Sequence, residues 1–218
     1  MNFVKESVNQ TPIVDTVFSI VAKAKEAKAK VGADNVVDAT IGSLYDEEGT
    51  LVALDSVYSS LKNLDNKVLA AYAASFTGNP DFRQKVYDWV LNGNSHLEHE
   101  VIATPGGTGA VGMTLQECLD EGQTVVLPEI AWGSYALMAQ MHNLNVEKYS
   151  LFEEDHFNLN SFKSACKNVM EKQNRLVIVI NDPCHNPTGY SLSEDEWKEV
   201  ISFLNECSKT HAVVLLND

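Results

Sequence analysis

The stretch that decides the fold reads RLVIVINDPCHNPTG and occupies residues 175–189. Its first part contains the continuous apolar run Leu176–Ile180, which has the length of a strand rather than of a helix. Because no polar residue interrupts this run, the strand is expected to be buried on both faces, as in parallel sheets covered by helices. The polar residues that follow contain Asn-Pro and Thr-Gly pairs, which predict a loop at the carboxyl end of the strand.

Strands and helices alternate on both sides of this stretch. Downstream, Ser193 and Glu196 form a capping signature for a helix that extends to Lys209. The alternation predicts an α/β fold with a mainly parallel sheet and helices on both faces, in which ligands bind beyond the carboxyl ends of the strands. The predicted strands are Glu100–Thr104, Thr124–Leu127, Val146–Ser150, Arg175–Asn181 and Ala212–Asn217, and the predicted helices between them are Thr108–Leu119, Ala131–Met141 and Leu159–Lys172.

The first hundred residues contain further helical patterns. We divide the chain into an N-terminal helix and loop segment at residues 1–50 and a large domain at residues 51–218. Since the chain stops directly after an apolar strand, which leaves a parallel sheet half built, we expect it to be a fragment of a longer protein. The predicted helices are Ile13–Lys30, Leu51–Leu61 and Pro80–Leu91, and a short strand is predicted at Val36–Ile41.

Composition excludes several classes of function. The chain of 218 residues has a net charge of −14, which disfavours binding to nucleic acids and to anionic membranes. Its apolar runs are too short to span a membrane, and its N-terminus lacks the apolar segment of a signal peptide. The cysteines, which are Cys118, Cys166, Cys184 and Cys207, form no CxxC unit. We therefore expect a cytoplasmic protein without a metal site.

A glycine-rich turn, Thr104–Gly109, lies between a predicted strand and a predicted helix. Glycines let the backbone approach an anion, and the amides at a helix N-terminus favour a phosphate group. The same segment also contains a literal G-x-G-x-x-G at Gly107–Gly112, with Glu129 after the next strand, as in dinucleotide-binding folds. A phosphate site, a dinucleotide site and a plain turn therefore all remain open for this segment alone.

The loop at residues 181–189 and a nearby tryptophan are the other candidate site features. The loop could simply close a strand before a capped helix, but its position at a carboxyl end favours a binding role. Cys184 and His185 are not expected to act as a nucleophile and base, because neighbouring side chains of an extended strand point to opposite faces. Trp132 could pack in the core or stack on a flat ring.

Several of these segments together resemble one enzyme family. The sequence at residues 186–189, Asn-Pro-Thr-Gly, resembles the NPTG motif of class I/II aminotransferases, which are pyridoxal 5'-phosphate (PLP) enzymes of fold type I. The glycine-rich turn resembles the phosphate loop of the aspartate and aromatic branch. Residues 38–49 are similar to the substrate loop of that branch, and residues 78–82 resemble its GxPEF segment. Trp132 and Trp197 also stand at the family's spacing. The matches cover nearly the whole chain in the right order, and they favour coincidence as the origin of the G-x-G-x-x-G.

The resemblance implies a PLP fold type I large domain and a set of site residues. Asp218 would pair with the pyridine nitrogen, where a carboxylate keeps the ring protonated and therefore electron-withdrawing. Asn186 would contact the ring hydroxyl and the substrate carboxylate. The implied cofactor-binding residues are Gly106, Gly107, Thr108, Trp132, Asn186, Asp218 and Tyr72, and the implied substrate-binding residues are Gly42, Asn186 and Trp132. No catalytic residue is expected within the chain, because the family's Schiff-base lysine would follow Asp218.

Two departures from the family pattern stand out. Tyr135 occupies the position of a family histidine three residues after the tryptophan, and Asp218 ends the chain, so that the family's D-x-A-Y is not completed. The lysines present, such as Lys163, Lys167 and Lys198, lie on predicted amphipathic helices and are interpreted as solvated.

The function implied is transfer of an amino group between an L-amino acid and a 2-oxo acid by a ping-pong Schiff-base mechanism, in a homodimer. The alternatives are a PLP-dependent lyase on the same fold, a nucleotide-binding oxidoreductase that uses the glycine loop, and a non-catalytic binding or regulatory fragment.

Overall fold

The structure is a computed structural model that describes residues 3–4, 6–8, 11–12, 16–92 and 97–218. The chain divides into two compact units. Unit 1 consists of residues 1–11 and 104–218, and unit 2 consists of residues 12–103. These units are defined by contacts within the chain, so the division at residues 50 and 51 stays a prediction. Among the described residues, no helix is long and apolar enough to cross a membrane.

Unit 1 contains a four-stranded parallel sheet. The strand order is β2-β1-β5-β6, and each neighbouring pair runs parallel. The predicted α/β fold with a parallel sheet is therefore confirmed. The helices are α5 (Gly106–Cys118), α6 (Ser134–Met141), α7 (Leu159–Met170) and α8 (Glu194–Cys207); the strands are β1 (Thr124–Pro128), β2 (Asn145–Tyr149), β5 (Arg175–Ile180) and β6 (Ala212–Asn217), and the short strands β3 (Phe152–Glu153) and β4 (His156–Phe157) form an antiparallel hairpin.

The core of unit 1 lies on both faces of this sheet, as the apolar run of β5 predicts. Leu176, Ile178 and Ile180 belong to one buried cluster with α7 and α8. Val177 and Val179 belong to a second cluster with α5 and α6. Alternate side chains of one strand thus enter two cores, which is why β5 tolerates no polar position between residues 176 and 180. Each fully buried aliphatic side chain contributes about 1.5–3 kcal/mol to folding.

Hydrogen bonds to Glu196 connect the start of α8 to neighbouring segments of unit 1. Its carboxylate accepts hydrogen bonds from the backbone and hydroxyl of Ser193, both at 2.8 Å, while Ser193 caps the helix. It also accepts from the Tyr190 hydroxyl at 2.7 Å and from the Phe157 backbone amide at 2.9 Å. Partial burial alone would raise the pKa of Glu196, but these donors lower it to about 2. The predicted capping signature is confirmed, and it also ties the β3-β4 hairpin to α8.

Unit 2 consists of helices and irregular segments, and none of its described residues is buried. An isolated bridge joins Tyr45 to Leu51. Because Leu51 is held in this bridge, the second helix begins at Asp55 rather than at Leu51 as predicted. The helices are α1 (Thr16–Val31), α2 (Asp55–Lys62), α3 (Asn66–Ala70) and α4 (Pro80–Leu91), and a turn of 3-10 helix covers Ala33–Asn35. The predicted start of α1, Ile13, lies outside the described residues.

Two predicted strands are wrong. Val36–Ile41 and Glu100–Thr104 are both irregular, although each contains apolar residues at strand spacing. A strand requires a partner that satisfies its backbone groups. The Ala103 amide donates a hydrogen bond to the Thr77 carbonyl at 2.9 Å, but residues 100–104 form no strand pairing within the part of the chain that the structure describes. Val37 is fully exposed.

Candidate active site

The carboxyl ends of β1, β5 and β6 meet at one edge of the sheet, because the three strands are parallel. Trp132 follows β1, the loop 181–189 follows β5, and Asp218 follows β6. Helix α5 begins at the same edge: a Cβ atom built on Gly107 would lie 3.8 Å from Oδ1 of Asp218. The structure thus places four segments that are distant in sequence at the same edge of the sheet: the start of α5, Trp132, the loop 181–189 and Asp218.

The glycine-rich turn forms the start of α5. Gly106 has a φ of 74°, a left-handed conformation that favours glycine, and its amide donates to the Thr104 carbonyl at 2.8 Å. The first turn contains no acidic residue, and the N-cap residue Pro105 provides no side-chain cap. The first backbone amides of a helix lack intrahelical acceptors, so this end of α5 has the chemistry to bind an anion.

The literal G-x-G-x-x-G lies entirely inside α5. A Cβ on Gly109 would lie 2.6 Å from Cγ of Pro105, and one on Gly112 would lie 3.7 Å from the sulfur of Met138. Gly109 therefore serves close packing against Pro105, whereas a side chain at residue 112 would make only an ordinary contact. The dinucleotide interpretation is not favoured.

Tyr135 lies in the first turn of α6 and is fully buried. Its hydroxyl donates a short hydrogen bond to Oδ2 of Asp218. Its ring packs edge-on against Trp132, with ring centroids 5.3 Å apart and an interplanar angle of 89°. Burial, and next the Asp218 carboxylate, raise the pKa of Tyr135 well above its usual value, so the hydroxyl stays protonated and continues to donate.

Asn181, directly after β5, connects two of the site loops. Its side-chain Nδ2 donates to the Asp218 carbonyl at 2.9 Å and to the Tyr135 hydroxyl at 3.2 Å. Its Oδ1 accepts from the backbone amide of Asn186 at 2.6 Å. One amide side chain therefore fixes the position of the loop that carries Asn186 relative to the end of β6.

The rest of the loop is held by Asp182. Its Oδ2 accepts from the indole Nε1 of Trp197 at 3.0 Å, and its Oδ1 accepts from the Leu192 amide at 2.7 Å. Trp197 thus has a structural partner at the position where the family pattern places a tryptophan. Helix α8 and the loop before it are joined at this point.

The two reactive side chains of the loop have separate partners. His185 is buried, and its Nδ1 lies 2.8 Å from the Thr188 hydroxyl. Burial lowers the pKa of His185, while the Ile130 carbonyl and the charge of Asp182 oppose that shift. Cys184 is exposed, with its backbone amide bonded to the Ser191 hydroxyl at 2.8 Å. This geometry gives no support to a nucleophile and base pair.

Comparison with known proteins decides the family. The sequence profile of Aminotransferase class I and II matches residues 34–215 of the chain. The chain belongs to this aminotransferase family. It is also similar to the crystal structure of an aminotransferase from Anaerococcus prevotii DSM 20548, with a TM-score of 0.89 and 35% sequence identity, over 100% of this chain and 54% of that one.

Curated aminotransferases give the same result at lower identity. The chain is 23% identical to the aromatic-amino-acid aminotransferase of Paracoccus denitrificans over 184 residues, which are 83% of this chain and 46% of that protein. It is 26% identical to the aspartate aminotransferase of Musicola paradisiaca (strain Ech703) over 200 residues, which are 90% of this chain and 46% of that protein. The chain therefore spans about half the length of the curated relatives it matches.

The residues expected to form the aminotransferase site fall in both units. Unit 1 contains Gly106, Gly107, Thr108, Trp132, Asn186 and Asp218. Gly42 and Tyr72 lie in unit 2, where both are exposed, and their roles stay predictions. Two of the lysines interpreted as solvated form surface ion pairs: Lys163 lies 3.6 Å from Glu199, and Lys198 lies 3.0 Å from Glu194.

Sequence reasoning missed the contacts of two residues in this site. The sequence shows that Tyr135 replaces the family histidine, but it does not predict the bond to Asp218. The sequence places Asn181 in the loop after β5 without indicating its role. The available signal was its position: a polar residue directly after a buried parallel strand lies at the ligand-binding edge of the sheet.

Proposed function

We propose that this chain is the part of a PLP-dependent aminotransferase that binds the cofactor phosphate, the cofactor ring and the substrate carboxylate. The carrying observation is the meeting of the α5 N-terminus, Trp132, Asn186 and Asp218 at the carboxyl edge of one parallel sheet. The reaction proposed is transfer of an amino group between an L-amino acid and a 2-oxo acid.

The chemistry of these groups fits the cofactor. The backbone amides of Gly107 and Thr108 begin a helix without acidic residues in its first turn, which suits a phosphate dianion. Trp132 supplies a flat apolar surface for the ring. Bound PLP provides an electron-withdrawing ring that stabilises negative charge at the α-carbon of the amino acid.

Asp218 and Asn186 would hold the remaining polar atoms. The Asp218 carboxylate would keep a proton on the ring nitrogen, since an opposite charge nearby favours the protonated form. The side-chain amide of Asn186 would donate to the ring hydroxyl and to the substrate carboxylate, and Gly42 would lie close to the same carboxylate. Tyr72 would reach the phosphate bound by a second copy of the chain.

The proposal also covers what the complete enzyme requires. A lysine after residue 218 would serve as the Schiff-base residue, and the enzyme would be a cytoplasmic homodimer. Support for the lysine comes from the family assignment, together with the surface ion pairs of Lys163 and Lys198. The cytoplasmic location follows the sequence, in which the four cysteines form no CxxC unit.

Titration with pyridoxamine 5'-phosphate tests the site, because this compound carries the ring nitrogen and the phosphate but needs no lysine. Isothermal titration calorimetry should show binding by the chain and about 10-fold or greater weakening in Asp218→Asn, since a charged hydrogen bond is lost. Asp155→Asn, an exposed aspartate in the turn between β3 and β4, is the matched control. Equal affinities for the two variants, or binding of a nicotinamide dinucleotide instead, would contradict the proposal.

The covalent chemistry is tested on the native protein. After borohydride reduction and peptide mapping, a pyridoxyl group should be found on a lysine that follows the sequence Asn217-Asp218. Absence of any pyridoxyl peptide from active native protein would sink the PLP assignment.

A further inference from the structure

We propose that Tyr135 and Asn181 act together as positioning residues that hold Asp218, Trp132 and the Asn186 loop in one fixed arrangement. We call this pair the Tyr135–Asn181 clamp. The inference rests on the proposed function, since it assigns these residues a role toward the cofactor ring. The observation that supports this inference is that both side chains contact Asp218 and each other. Tyr135 also contacts Trp132, and Asn181 also contacts the backbone amide of Asn186.

Tyr135 joins Asp218 to Trp132. Its hydroxyl donates to the Asp218 carboxylate, and its ring meets the Trp132 ring edge-on. Because the side chain is fully buried, it has no room to move either contact independently. The group that would pair with the ring nitrogen and the group that would stack on the ring are therefore positioned by one rigid residue.

Asn181 joins Asp218 to the Asn186 loop. The β5-β6 register pairs Ile180 with Asn217, so residues 181 and 218 emerge side by side at the end of the sheet. Asn181 uses both ends of its amide there, donating to the Asp218 carbonyl and to Tyr135 and accepting from the Asn186 amide. Asparagine provides a donor and an acceptor on one short side chain, whereas a carboxylate at this position would offer acceptors alone.

Both members of the clamp are uncharged. Tyr135 stays protonated because burial and the adjacent carboxylate raise its pKa, and an amide does not titrate. The clamp therefore orients the Asp218 carboxylate by hydrogen bonds without placing a positive charge against it. The negative charge remains available to a protonated ring nitrogen.

A pair of ligands isolates the interaction with the ring nitrogen. Pyridoxamine 5'-phosphate and its 1-deaza analogue differ only in that the ring nitrogen is replaced by carbon in the analogue. The dissociation constant of the analogue divided by that of pyridoxamine 5'-phosphate therefore measures how much Asp218 contributes to affinity. Tyr135→Phe should reduce this ratio about 10-fold by removing one charged hydrogen bond while retaining the ring against Trp132. Asn181→Asp should also reduce it, because the side chain then loses the Nδ2 donor to the Asp218 carbonyl and to the Tyr135 hydroxyl. Affinity for the deaza analogue should change less than about 2-fold in Tyr135→Phe, since that ligand makes no bond to the carboxylate.

The matched control is Asn205→Asp, which makes the same substitution at an exposed position of α8. It should leave the ratio at the wild-type value. A ratio unchanged in both Tyr135→Phe and Asn181→Asp would overturn the clamp. Failure of the wild-type chain to bind either compound would instead overturn the proposed function.

Amide hydrogen exchange tests the coupling without any ligand. In Asn181→Leu the Asn186 amide loses its acceptor and should exchange about 10-fold faster, while Asn181→Asp keeps an acceptor oxygen and should preserve its protection. Equal protection of Asn186 in wild type and Asn181→Leu would overturn the link between the two loops. Because this measurement needs no cofactor, its result is independent of whether the proposed function holds.

Discussion

Units 1 and 2 differ in the exposed fraction of their large apolar side chains, which is small in the core of unit 1 and large in unit 2. Unit 1 contains both buried clusters, and its sheet contributes alternate side chains to each. Unit 2 contains helices of comparable length, yet large apolar side chains such as Trp89 (88% exposed) and Phe76 (fully exposed) lie at its surface. The helices of unit 2 therefore lack, among its own described residues, the packing of an apolar face that stabilises most helices in proteins.

The largest expected effect comes from matched phenylalanines in the two units. Phe162 is fully buried in unit 1, and Phe82 is 51% exposed in unit 2. Phe162→Ala should lower the free energy of unfolding by about 3–5 kcal/mol, because it removes buried area and leaves a cavity. Phe82→Ala should lower it by less than about 1 kcal/mol. Urea denaturation followed by circular dichroism measures both, and similar losses in the two variants would refute the contrast between the units.

The second prediction concerns the carboxylate that fastens α8. In Glu196→Gln an amide nitrogen would face hydrogen-bond donors, so the free energy of unfolding should fall by about 1–3 kcal/mol. Glu171→Gln, at an exposed position after α7, is the control and should change it by less than about 0.5 kcal/mol. A loss no greater than that of the control would show that the Glu196 contacts contribute nothing to stability.

The Glu196 carboxylate should also make the free energy of unfolding depend on pH, with lower stability at acidic pH. The pKa of Glu196 falls from 4.5 to about 2 on folding, so protonation favours the unfolded chain. This stabilisation is fully present above about pH 4.5 and is lost as the pH falls toward 2. In unit 2, Lys28 and Thr40 likewise lower the pKa of Asp38 to about 2, but through contacts at the surface. Acid unfolding should therefore shift more in Glu196→Gln than in Asp38→Asn.

Much of unit 1 could be predicted from sequence, because its strongest patterns are local. The apolar run Ala212–Asn217 coincides with β6, and the Ser193 cap coincides with the start of α8. Val36–Ile41 had a similar pattern but forms no strand. Strand formation depends on backbone partners that no local pattern encodes, which is why the same reasoning succeeded in one unit and failed in the other.

For the candidate site, the sequence predicts the positions of the residues but not the contacts between them. Positions such as Trp132, Asn186 and Asp218 follow from the ends of predicted strands, which meet at one edge of a parallel sheet. The contact between Asn181 and Asp218 depends on the β5-β6 register, and the contact between Tyr135 and Asp218 depends on how α6 packs. Neither is encoded in the spacing of the residues themselves.

A further prediction tests the close contact between residues 78 and 103 within unit 2. Gly78 has a φ of 98°, and a Cβ there would lie 2.6 Å from Cβ of Ala103. Gly78→Ala should lower the free energy of unfolding by about 1–2 kcal/mol, because it introduces backbone strain and this clash. Gly49→Ala is the control, because its φ of 78° gives comparable strain with nothing within 4 Å of the added atom. If exchange of the Ala103 amide is equally protected in both variants, the contact with Thr77 is not maintained by close packing.

The smallest effect should come from the surface of unit 1. Lys163 lies 3.6 Å from Glu199 and 5.7 Å from the centre of the Phe203 ring, so Lys163→Met removes an ion pair and a cation-π contact but keeps an apolar stem. The free energy of unfolding should change by less than about 1 kcal/mol, and less still at 1 M salt, because exposed charge pairs are screened. A loss comparable with that of Phe162→Ala would mean that unit 1 depends on surface charge as much as on its two cores. A small loss, with unchanged binding of pyridoxamine 5'-phosphate, would place the stability of unit 1 in its buried clusters and exclude Lys163 from the site.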